Sequence, residues 1–146
     1  NDILAELFSL TDTVSLGSPD APDLARGGKI TKISPLDLAK KAAKALNTTV
    51  RLADGGRNIE SLAVCGGSGG DILESAVEKG FDAYLSGDIS HHQFLLAEEK
   101  GITIIAAGHF ETENISMEVL RKRLSERFEG VSFVDLMQEN PVQFIS

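Results

Sequence analysis

The chain has 146 residues, of which 42% are hydrophobic and 25% charged, and its formal net charge is −8 at pH 7. These values predict one globular domain with its own core, and no apolar run approaches the roughly 20 residues that cross a bilayer. The acidic balance argues against direct nucleic-acid binding, which needs a basic stripe, because the densest basic patches lie on predicted helices and are typical of solvated faces.

The single cysteine narrows the possible chemistry. Cys65 lies in the run SLAVCGG, so an internal disulfide and a cysteine zinc cluster are both excluded. We expect Cys65 to be a small buried hydrophobic residue, with a nucleophilic role as the weaker alternative. One free cysteine, together with the lack of a secretory pattern in NDILAELFSL, favours a cytoplasmic location.

The first half of the chain predicts helices and strands interrupted by a long loop. NDILAELF has the apolar spacing of an amphipathic helix, and Ser34 followed by Pro35 is a typical helix start. Glycines and prolines interrupt 12–28, which predicts mostly loop, and the pair Gly55 and Gly56 favours a hairpin tip. The predicted elements are a helix over 1–8, a short strand over 13–16, a strand over 29–33, a helix over 35–46 and a strand over 49–53.

From Ile59 onward, strands alternate regularly with helices. The strands are short apolar runs, as expected when both faces of a sheet are covered, and their alternation with helices of roughly ten or more residues implies parallel βαβ units. We therefore predict an α/β fold with a parallel-rich sheet of βαβ units and helices on both faces. The predicted strands cover 59–66, 82–87, 102–108, 131–136 and 142–145, and the predicted helices cover 72–80, 89–101 and 113–128.

Distinctive residues follow the three central strands of this prediction. The turns are GGSGG, then GD with HH shortly after it, and then GHFETE. Ligands bind beyond the carboxyl ends of the strands in open parallel sheets, so these three turns are expected to meet at one edge. That convergence is stronger support for a site than any one turn alone.

The turn around Gly67, Ser68 and Gly69 is a candidate substrate-binding loop. It matches neither the dinucleotide fingerprint nor the P-loop. Its glycines nevertheless permit close approach of the backbone, and a following helix N-terminus can hold a phosphate. The equally weighted alternative is a tight strand-to-helix turn with Asp71 as the helix cap.

Asp88 and the two histidines after it have alternative interpretations. Asp88 is placed to cap the following helix, and capping does not prevent it from facing a ligand. His91 and His92 point about 100° apart on a helix, so at most one of them easily faces the strand-end crevice. His92 is the better candidate, since it follows Asp88 by four residues; the alternative for each histidine is an exposed position on the helix.

His109, Glu111 and Glu113 form the third candidate group. If the next helix begins nearby, His109 and Glu113 share one face at positions i and i+4, and an imidazole with a carboxylate suits zinc, manganese or iron. The alternative is a polar turn in which His109 lies in the loop and the two glutamates favour the helix N-terminus. Two ligands do not complete a tetrahedral site, and the sequence shows no other clear set.

These motifs resemble those of the Nif-three-like family, also known as GTP cyclohydrolase I type 2 homologues. GHFETE after a strand, SGDISHH one βα unit earlier and GGSG before that occur in the family's order and approximate spacing. The opening NDILAEL resembles the family's mid-chain helix, and the resemblance runs from Asn1 to about Phe144.

The resemblance implies a centre with two divalent metal ions, of zinc, manganese or iron. His109 and Glu113 correspond to metal ligands of the family motif. Asp88 and His92 approach the same site and are expected to support the ligands or face the substrate. Glu111 is expected to orient a ligand or to favour the helix start.

The chain also departs from the family pattern. Family members carry a His-His-Pro motif and a further aspartate before the helix at which this chain begins, and those residues complete the metal coordination. Here His91 and His92 are followed by Gln93. We therefore expect residues 1–146 to be one α/β domain, the C-terminal part of a longer family member, with a metal site that is present only in part.

The function implied by the resemblance is a metal-dependent hydrolase of unknown small-molecule substrate, acting on a nucleotide or phosphoester. A non-catalytic metal-binding or regulatory protein and a ring-assembly module are the alternatives. The resemblance further implies a homohexameric ring, and no membrane association is expected.

Overall fold

The computed structural model describes residues 1–136 and 138–142, which form five α-helices and one six-stranded sheet. In chain order the elements are α1 (Asp2–Leu7), β1 (Thr11–Ser18), β2 (Ala21–Ile33), α2 (Pro35–Ala45), β3 (Arg51–Ala53), β4 (Ile59–Cys65), α3 (Leu73–Glu78), β5 (Ala83–Ser86), α4 (His91–Lys100), β6 (Thr103–Ala106) and α5 (His109–Arg127). The strand order across the sheet is β1-β2-β4-β5-β6-β3.

The centre of the sheet is parallel and its flanks are antiparallel. β4, β5 and β6 are parallel neighbours, with Ala83 of β5 opposite Leu62 of β4 and Thr103 of β6. β1 pairs with β2 and β2 with β4 in the antiparallel sense, and β3 closes the other edge against β6. The predicted α/β class is confirmed, and its βαβ units are the three central strands with α3 and α4.

Alternate residues of the central strands face two separate layers of helices. Leu62 and Val64 of β4 pack in one cluster with α1 and α2, whereas Ala63 and Cys65 pack in the other with α3 and α4. Because both faces are covered, the central strands are mostly apolar. The predicted helices on both faces are confirmed. Cys65 is buried as expected, and burial raises the pKa of its thiol, which disfavours a nucleophilic role.

Helix α2 begins where it is predicted to begin. The Ser34 hydroxyl oxygen accepts a hydrogen bond from the Asp37 amide at 3.1 Å, and Pro35 occupies the first helical position. The apolar face of the helix, including Leu38 and Ala42, is fully buried in the core. Local capping chemistry and apolar spacing agree here, which is why the prediction succeeds.

The segment 12–28, predicted as mostly loop, is instead the greater part of a long hairpin formed by β1 and β2. The glycines misled the prediction, because they mark close packing inside strands. A Cβ atom on Gly27 would lie 2.2 Å from the Phe81 ring, and one on Gly28 would lie 2.7 Å from the Thr11 carbonyl oxygen. The strands predicted over 13–16 and 29–33 are parts of this hairpin.

Strand β3 pairs with β6 and not with β4, so the predicted hairpin tip at Gly55 and Gly56 is wrong. Arg51 of β3 lies opposite Ala106 of β6. The Gly55 amide donates to Thr103 Oγ1 at 3.1 Å, which ties the following loop to the amino end of β6. Closeness in sequence favoured a local hairpin, whereas the backbone of β6 provides the actual pairing.

The strand predicted over 131–136 is also wrong, since these residues form no β-ladder. Alternating apolar residues form a strand only when a sheet edge is within reach, and Phe133 instead contacts Phe128, with ring centroids 6.1 Å apart. Of the last predicted strand, 142–145, residues 143–145 lie outside the described part of the chain.

Helix α5 is the longest helix and the least buried. Of its 19 residues only Thr112 is buried. In the described part of the chain, neither α5 nor any other helix combines the length and the apolar character needed to cross a membrane.

Candidate metal centre

The carboxyl ends of β4, β5 and β6 lie side by side, as the motifs predict. The Gly108 amide donates to the Gly87 carbonyl oxygen at 3.2 Å, and the Asp88 amide donates to the Gly67 carbonyl oxygen at 3.0 Å. These bonds tie together the three turns that follow the central strands. The site is therefore formed at the edge where parallel sheets bind ligands.

Three charged side chains meet at this edge, with an imidazole in the middle. His109 Nδ1 lies 2.6 Å from Asp88 Oδ2, and His109 Nε2 lies 3.4 Å from Glu113 Oε2. About half of each side chain is exposed, with values of 48% for His109, 58% for Asp88 and 59% for Glu113. Each ring nitrogen thus faces one carboxylate, and the Asp88–His109–Glu113 cluster is open to solvent.

Helix α5 begins at His109 itself, four residues before the predicted start at Glu113. Gly108 precedes it with φ at 85°, a conformation that glycine adopts without strain. The chain therefore turns directly from β6 into the helix, and His109 and Glu113 lie one turn apart on the same face. The alternative that placed His109 in a loop is wrong.

The two carboxylates raise the pKa of His109 above its ordinary value of 6.5. The hydrogen bond with Asp88 is the largest cause, partial desolvation opposes it, and the negative charge of Glu113 adds to the rise. Without a metal ion, the protonated form of the ring is therefore stabilised by the two carboxylates that it faces. The same negative charges would attract a divalent cation.

The glycine turn keeps the space beside His109 Nε2 free of side chains. Gly67 has φ at 65°, and a Cβ atom there would lie 2.4 Å from Glu113 Oε1 and 3.2 Å from His109 Nε2. Glycine is therefore required at this position both by the backbone conformation and by the space. The neighbouring Ser68 faces the cluster, with Oγ at 3.3 Å from Asp88 Oδ2 and 3.5 Å from His109 Nδ1.

The amides of Gly67 and Gly69 point into the protein. The Gly67 amide donates to Thr112 Oγ1 at 3.0 Å, and the Gly69 amide donates to Ser86 Oγ at 3.1 Å. These two donors are therefore engaged within the protein and are not directed at a phosphate. Substrate binding by this turn stays a prediction, and the groups left for it are the Ser68 hydroxyl and the space at Gly67.

Two further predicted residues have their hydrogen bonds elsewhere. Glu111 Oε1 accepts from Asn140 Nδ2 at 2.6 Å, which ties the first turn of α5 to the C-terminal segment. His92 Nδ1 lies 3.0 Å from Ser90 Oγ, at the start of α4. The predicted roles of Glu111 and His92 at the site stay predictions.

The capping role considered for Asp88 is wrong. The N-cap of α4 is Ser90, whose amide donates to Gln93 Oε1 at 2.8 Å in a capping-box arrangement. A serine followed three residues later by glutamine was the sequence signal for this cap. Asp88 is thereby left free to bond with His109.

The donor set fits part of a metal site. Zinc bonds of about 2.0–2.1 Å at a tetrahedral angle place two ligand atoms about 3.4 Å apart, which matches the 3.4 Å between His109 Nε2 and Glu113 Oε2. Asp88 holds the opposite ring nitrogen, as carboxylates do behind metal-binding histidines. Within 1–136 and 138–142, no group of three or more His, Cys, Asp or Glu is arranged to hold an ion. The described residues therefore offer two candidate donor atoms, His109 Nε2 and a Glu113 carboxylate oxygen, and a carboxylate behind the imidazole.

Sequence reasoning missed the buried polar residues beneath the cluster. Thr112 and Ser86 are 3% and 0% exposed, and the fully buried Tyr84 donates its hydroxyl proton to the Gly69 carbonyl oxygen at 2.5 Å. Burial raises the pKa of Tyr84 far above its ordinary value, so its hydroxyl remains a donor. The available signal was the presence of polar residues in the otherwise apolar strand of DAYLSG.

A pocket of about 470 Å³ opens beside Glu113, between α1 and the first half of α5. This volume is typical of sites for small molecules. Its walls also include Asn1, Ile3, Gly66, Thr112, Met117 and Gln138. The pocket gives a small molecule access to the Glu113 side of the cluster.

Comparisons with known proteins identify the relatives of this chain. The family model described as Duf34/NIF3 (NGG1p interacting factor 3) matches residues 1–141. The chain belongs to the DUF34/NIF3 family. Two curated relatives carry the name GTP cyclohydrolase 1 type 2 homolog. The one from Pseudomonas aeruginosa is 35% identical over 102 residues, which covers 70% of this chain and 40% of that protein. The one from Vibrio cholerae is 34% identical over 118 residues, which covers 80% of this chain and 41% of that protein.

Among solved structures, protein ybgI, described as being of unknown function, matches this chain with a TM-score of 0.86 at 26% identity. The match covers 97% of this chain and 56% of ybgI. This DUF34/NIF3 chain thus spans about two fifths of the length of the curated relatives that it matches. The family and the fold predicted from the strand-end motifs are confirmed.

Proposed function

We propose that this DUF34/NIF3 chain binds a divalent metal ion through His109 Nε2 and Glu113, as its share of a two-metal centre. The observation that supports this most directly is the 3.4 Å separation of the two ligand atoms, with Asp88 held on the opposite ring nitrogen. Zinc, manganese and iron are the ions that suit an imidazole and a carboxylate.

In this proposal Asp88 decides which ring nitrogen is available. When His109 donates its Nδ1 proton to Asp88 across 2.6 Å, the lone pair lies on Nε2, next to Glu113. The same bond fixes the orientation of the half-exposed ring, which would otherwise be free to turn. Ser68 Oγ donates to Asp88 Oδ2 at 3.3 Å and helps to hold that carboxylate in place.

For the whole protein we propose metal-dependent hydrolysis of a nucleotide or another small phosphoester, in keeping with the family resemblance. Two bound divalent ions would supply a water of lowered pKa and polarise a substrate oxygen. In this proposal the Ser68 hydroxyl, 3.5 Å from His109 Nδ1, hydrogen-bonds the substrate at the edge of the cluster, and the pocket beside Glu113 supports this with room for a small molecule. Glu111 and His92 remain candidates for orienting ligands or substrate.

Zinc titration of the chain by calorimetry tests the proposal. We expect zinc binding by the unaltered chain that is lost in His109→Ala and in Glu113→Gln, since each removes one of two ligands. His91→Ala is the matched control, because His91 is an exposed histidine in the first turn of α4. Equal zinc affinity in all four proteins would contradict metal binding at this cluster.

The number of ions retained tests whether the site is partial. After loading with zinc or manganese and desalting, plasma mass spectrometry should find little metal on a chain that offers two ligands. Two ions retained per chain would overturn the partial site, and further ligands would then have to be sought among Asp88, His91 and His92.

Experiments on a full-length family member distinguish the two alternative functions. Tight metal binding with no phosphoester turnover would favour a metal-binding or regulatory role. A ring that persists after chelation and after His109→Ala would favour an assembly module. The homohexameric ring and the cytoplasmic location stay predictions, the first from the family resemblance and the second from the single free cysteine.

A further inference from the structure

We infer that the Thr112 hydroxyl is a positioning group that fixes the geometry of the Asp88–His109–Glu113 cluster by holding the backbone amide of Gly67. The inference rests on the proposed function, because metal binding is what this geometry would serve. Thr112 lies between the two proposed ligands in the first turn of α5 and is only 3% exposed. Its side chain is almost fully buried, so we argue that it acts through the groups that it holds.

The Thr112 hydroxyl connects two elements that are distant in sequence. Its oxygen lies 2.8 Å from the Gly108 carbonyl oxygen and 3.0 Å from that of His109, so its proton is donated within the first turn of α5. The same oxygen accepts the Gly67 amide at 3.0 Å. One buried hydroxyl therefore joins the helix that carries His109 and Glu113 to the turn that follows β4.

The carbonyl group of Gly67 is also held. Its oxygen accepts from the Asp88 amide at 3.0 Å and from Ser86 Oγ at 3.2 Å. Asp88 is thus attached to the same residue whose amide Thr112 attaches to α5. The Gly67 backbone is the shared support of the carboxylate on the Nδ1 side and of the helix that carries the imidazole.

Close packing at Gly87 leaves little room for this support to move. A Cβ atom on Gly87 would lie 2.7 Å from the Gly67 carbonyl oxygen and 2.8 Å from both His109 Cα and Thr112 Oγ1. The three strand ends therefore approach at distances that only glycine permits. We therefore expect a movement of the Gly67 backbone to change the relative position of Asp88 and His109.

Valine at position 112 has nearly the same shape as threonine but offers no acceptor. The buried Gly67 amide would then lack its partner, and buried donors without a partner are unfavourable. The turn would shift to find one, taking Asp88 with it. Because ligand sites tolerate displacements of only about 0.5 Å, we expect metal affinity to fall although both ligands are unchanged.

The test compares Thr112→Val with Thr112→Ser and with a matched control, Thr103→Val. Thr103 is also fully buried and also accepts the amide of a loop glycine, Gly55, at 3.1 Å, but it lies at the amino end of β6, away from the cluster. We expect zinc affinity, measured by calorimetric titration, to fall roughly tenfold in Thr112→Val. Thr112→Ser and Thr103→Val should keep the affinity of the unaltered chain.

A second readout uses the metal-free protein. In Thr112→Val, NMR should show roughly five- to tenfold faster hydrogen exchange at the Gly67 amide and a changed ¹⁵N shift at His109 Nδ1, and Thr112→Ser should restore both. Thr103→Val should leave both signals unchanged while lowering thermal stability to a similar degree. This control separates loss of positioning from general loss of stability.

The possible outcomes distinguish the inference from the proposed function. If Thr112→Val leaves the Gly67 exchange and the His109 shift unchanged, or weakens zinc binding no more than Thr103→Val does, the inference is wrong. If the unaltered chain binds no zinc, the proposed function fails, and the two metal-free signals still decide whether Thr112 positions the cluster.

Discussion

Two aspartates flank β5, and they are bound in opposite ways. Asp82, at the amino end of the strand, accepts the amides of Glu60 and Ser61 at 3.0 Å each through one carboxylate oxygen, and the Ser61 hydroxyl at 2.8 Å. Its other oxygen lies 3.2 Å from the Arg57 guanidinium. Asp82 therefore fixes the start of β4 and is bound mainly by groups that do not titrate near neutral pH.

Asp88, at the carboxyl end of the same strand, faces side chains that remain accessible. It bonds to the His109 imidazole and to the Ser68 hydroxyl, and its side chain is 58% exposed compared with 22% for Asp82. The same residue type thus stabilises the fold at one edge of the sheet and raises the pKa of an imidazole at the other. We therefore expect changes at the two edges to separate stability from ligand binding.

The largest loss of stability is expected from Asp82→Ala. Three hydrogen bonds to one carboxylate oxygen disappear, and the amides at the start of β4 lose their partner. We expect the free energy of unfolding to fall by about 2–3 kcal/mol, measured by urea denaturation. Asp82→Asn keeps one acceptor oxygen and should lose less. Zinc affinity should not change in either variant, and a fall would show that the two edges are not independent.

The next effect tests the space beside the cluster with Gly67→Ala. Left-handed backbone at φ 65° costs about 1 kcal/mol for alanine, and the added Cβ would push the Glu113 carboxylate away from His109 Nε2. Gly56→Ala is the matched control, since Gly56 has φ at 77° and open space around the added Cβ. Both variants should lose similar stability, but only Gly67→Ala should lose zinc binding. Loss in both would mean that the contact with Glu113 is irrelevant.

The carboxyl edge of the sheet was predictable because its signals are local. Each central strand is a short apolar run followed directly by its functional residues, and the direction of a parallel strand then determines where they meet. Predicting the contact between His109 and Glu113 required one further fact, the start of α5 at His109. That start depends on the positive φ of Gly108. Spacing at i and i+4 anticipated this pairing without establishing it.

The features that the sequence did not predict depend on contacts between distant residues. Gly27 is required in β2 because the ring of Phe81 packs against it, and no local pattern encodes that contact. The bond between the Gly67 amide and Thr112 joins residues 45 positions apart. A threonine within a motif shows that a hydroxyl is present, but only the fold shows which amide it accepts.

A smaller effect on stability, with a clear effect on binding, is expected from Asp88→Asn. The side chain is more than half exposed, so the free energy of unfolding should fall by less than about 1 kcal/mol. Asparagine can still accept the Nδ1 proton but lacks the charge that strengthens His109 as a ligand, so zinc affinity should fall roughly tenfold. Calorimetric zinc titration of Asp88→Asn and Asp82→Asn compares the two aspartates directly. Equal zinc affinity in these two variants would contradict this expectation.

The smallest effect is the dependence of stability on pH in the metal-free chain. The folded protein raises the pKa of His109 above 6.5, chiefly through the bond with Asp88. Because the folded state holds this proton more tightly than the unfolded state, the stabilisation is fully present below about pH 6.5 and is lost as pH rises through the folded-state pKa. Since the ring is about half exposed, solvent screening keeps the effect below those of the substitutions above.

NMR titration of the His109 ring, with chelator present, measures this pKa directly, and urea midpoints at about pH 5.5 and about pH 8.5 bracket the change in stability. In Asp88→Asn the pKa should move back toward its ordinary value and the difference between the two midpoints should shrink. His91→Ala should alter neither result. If the pKa of His109 stays equally raised without the Asp88 charge, then Glu113 and not Asp88 causes the rise. Asp88 would then not differ from Asp82 by its effect on an imidazole.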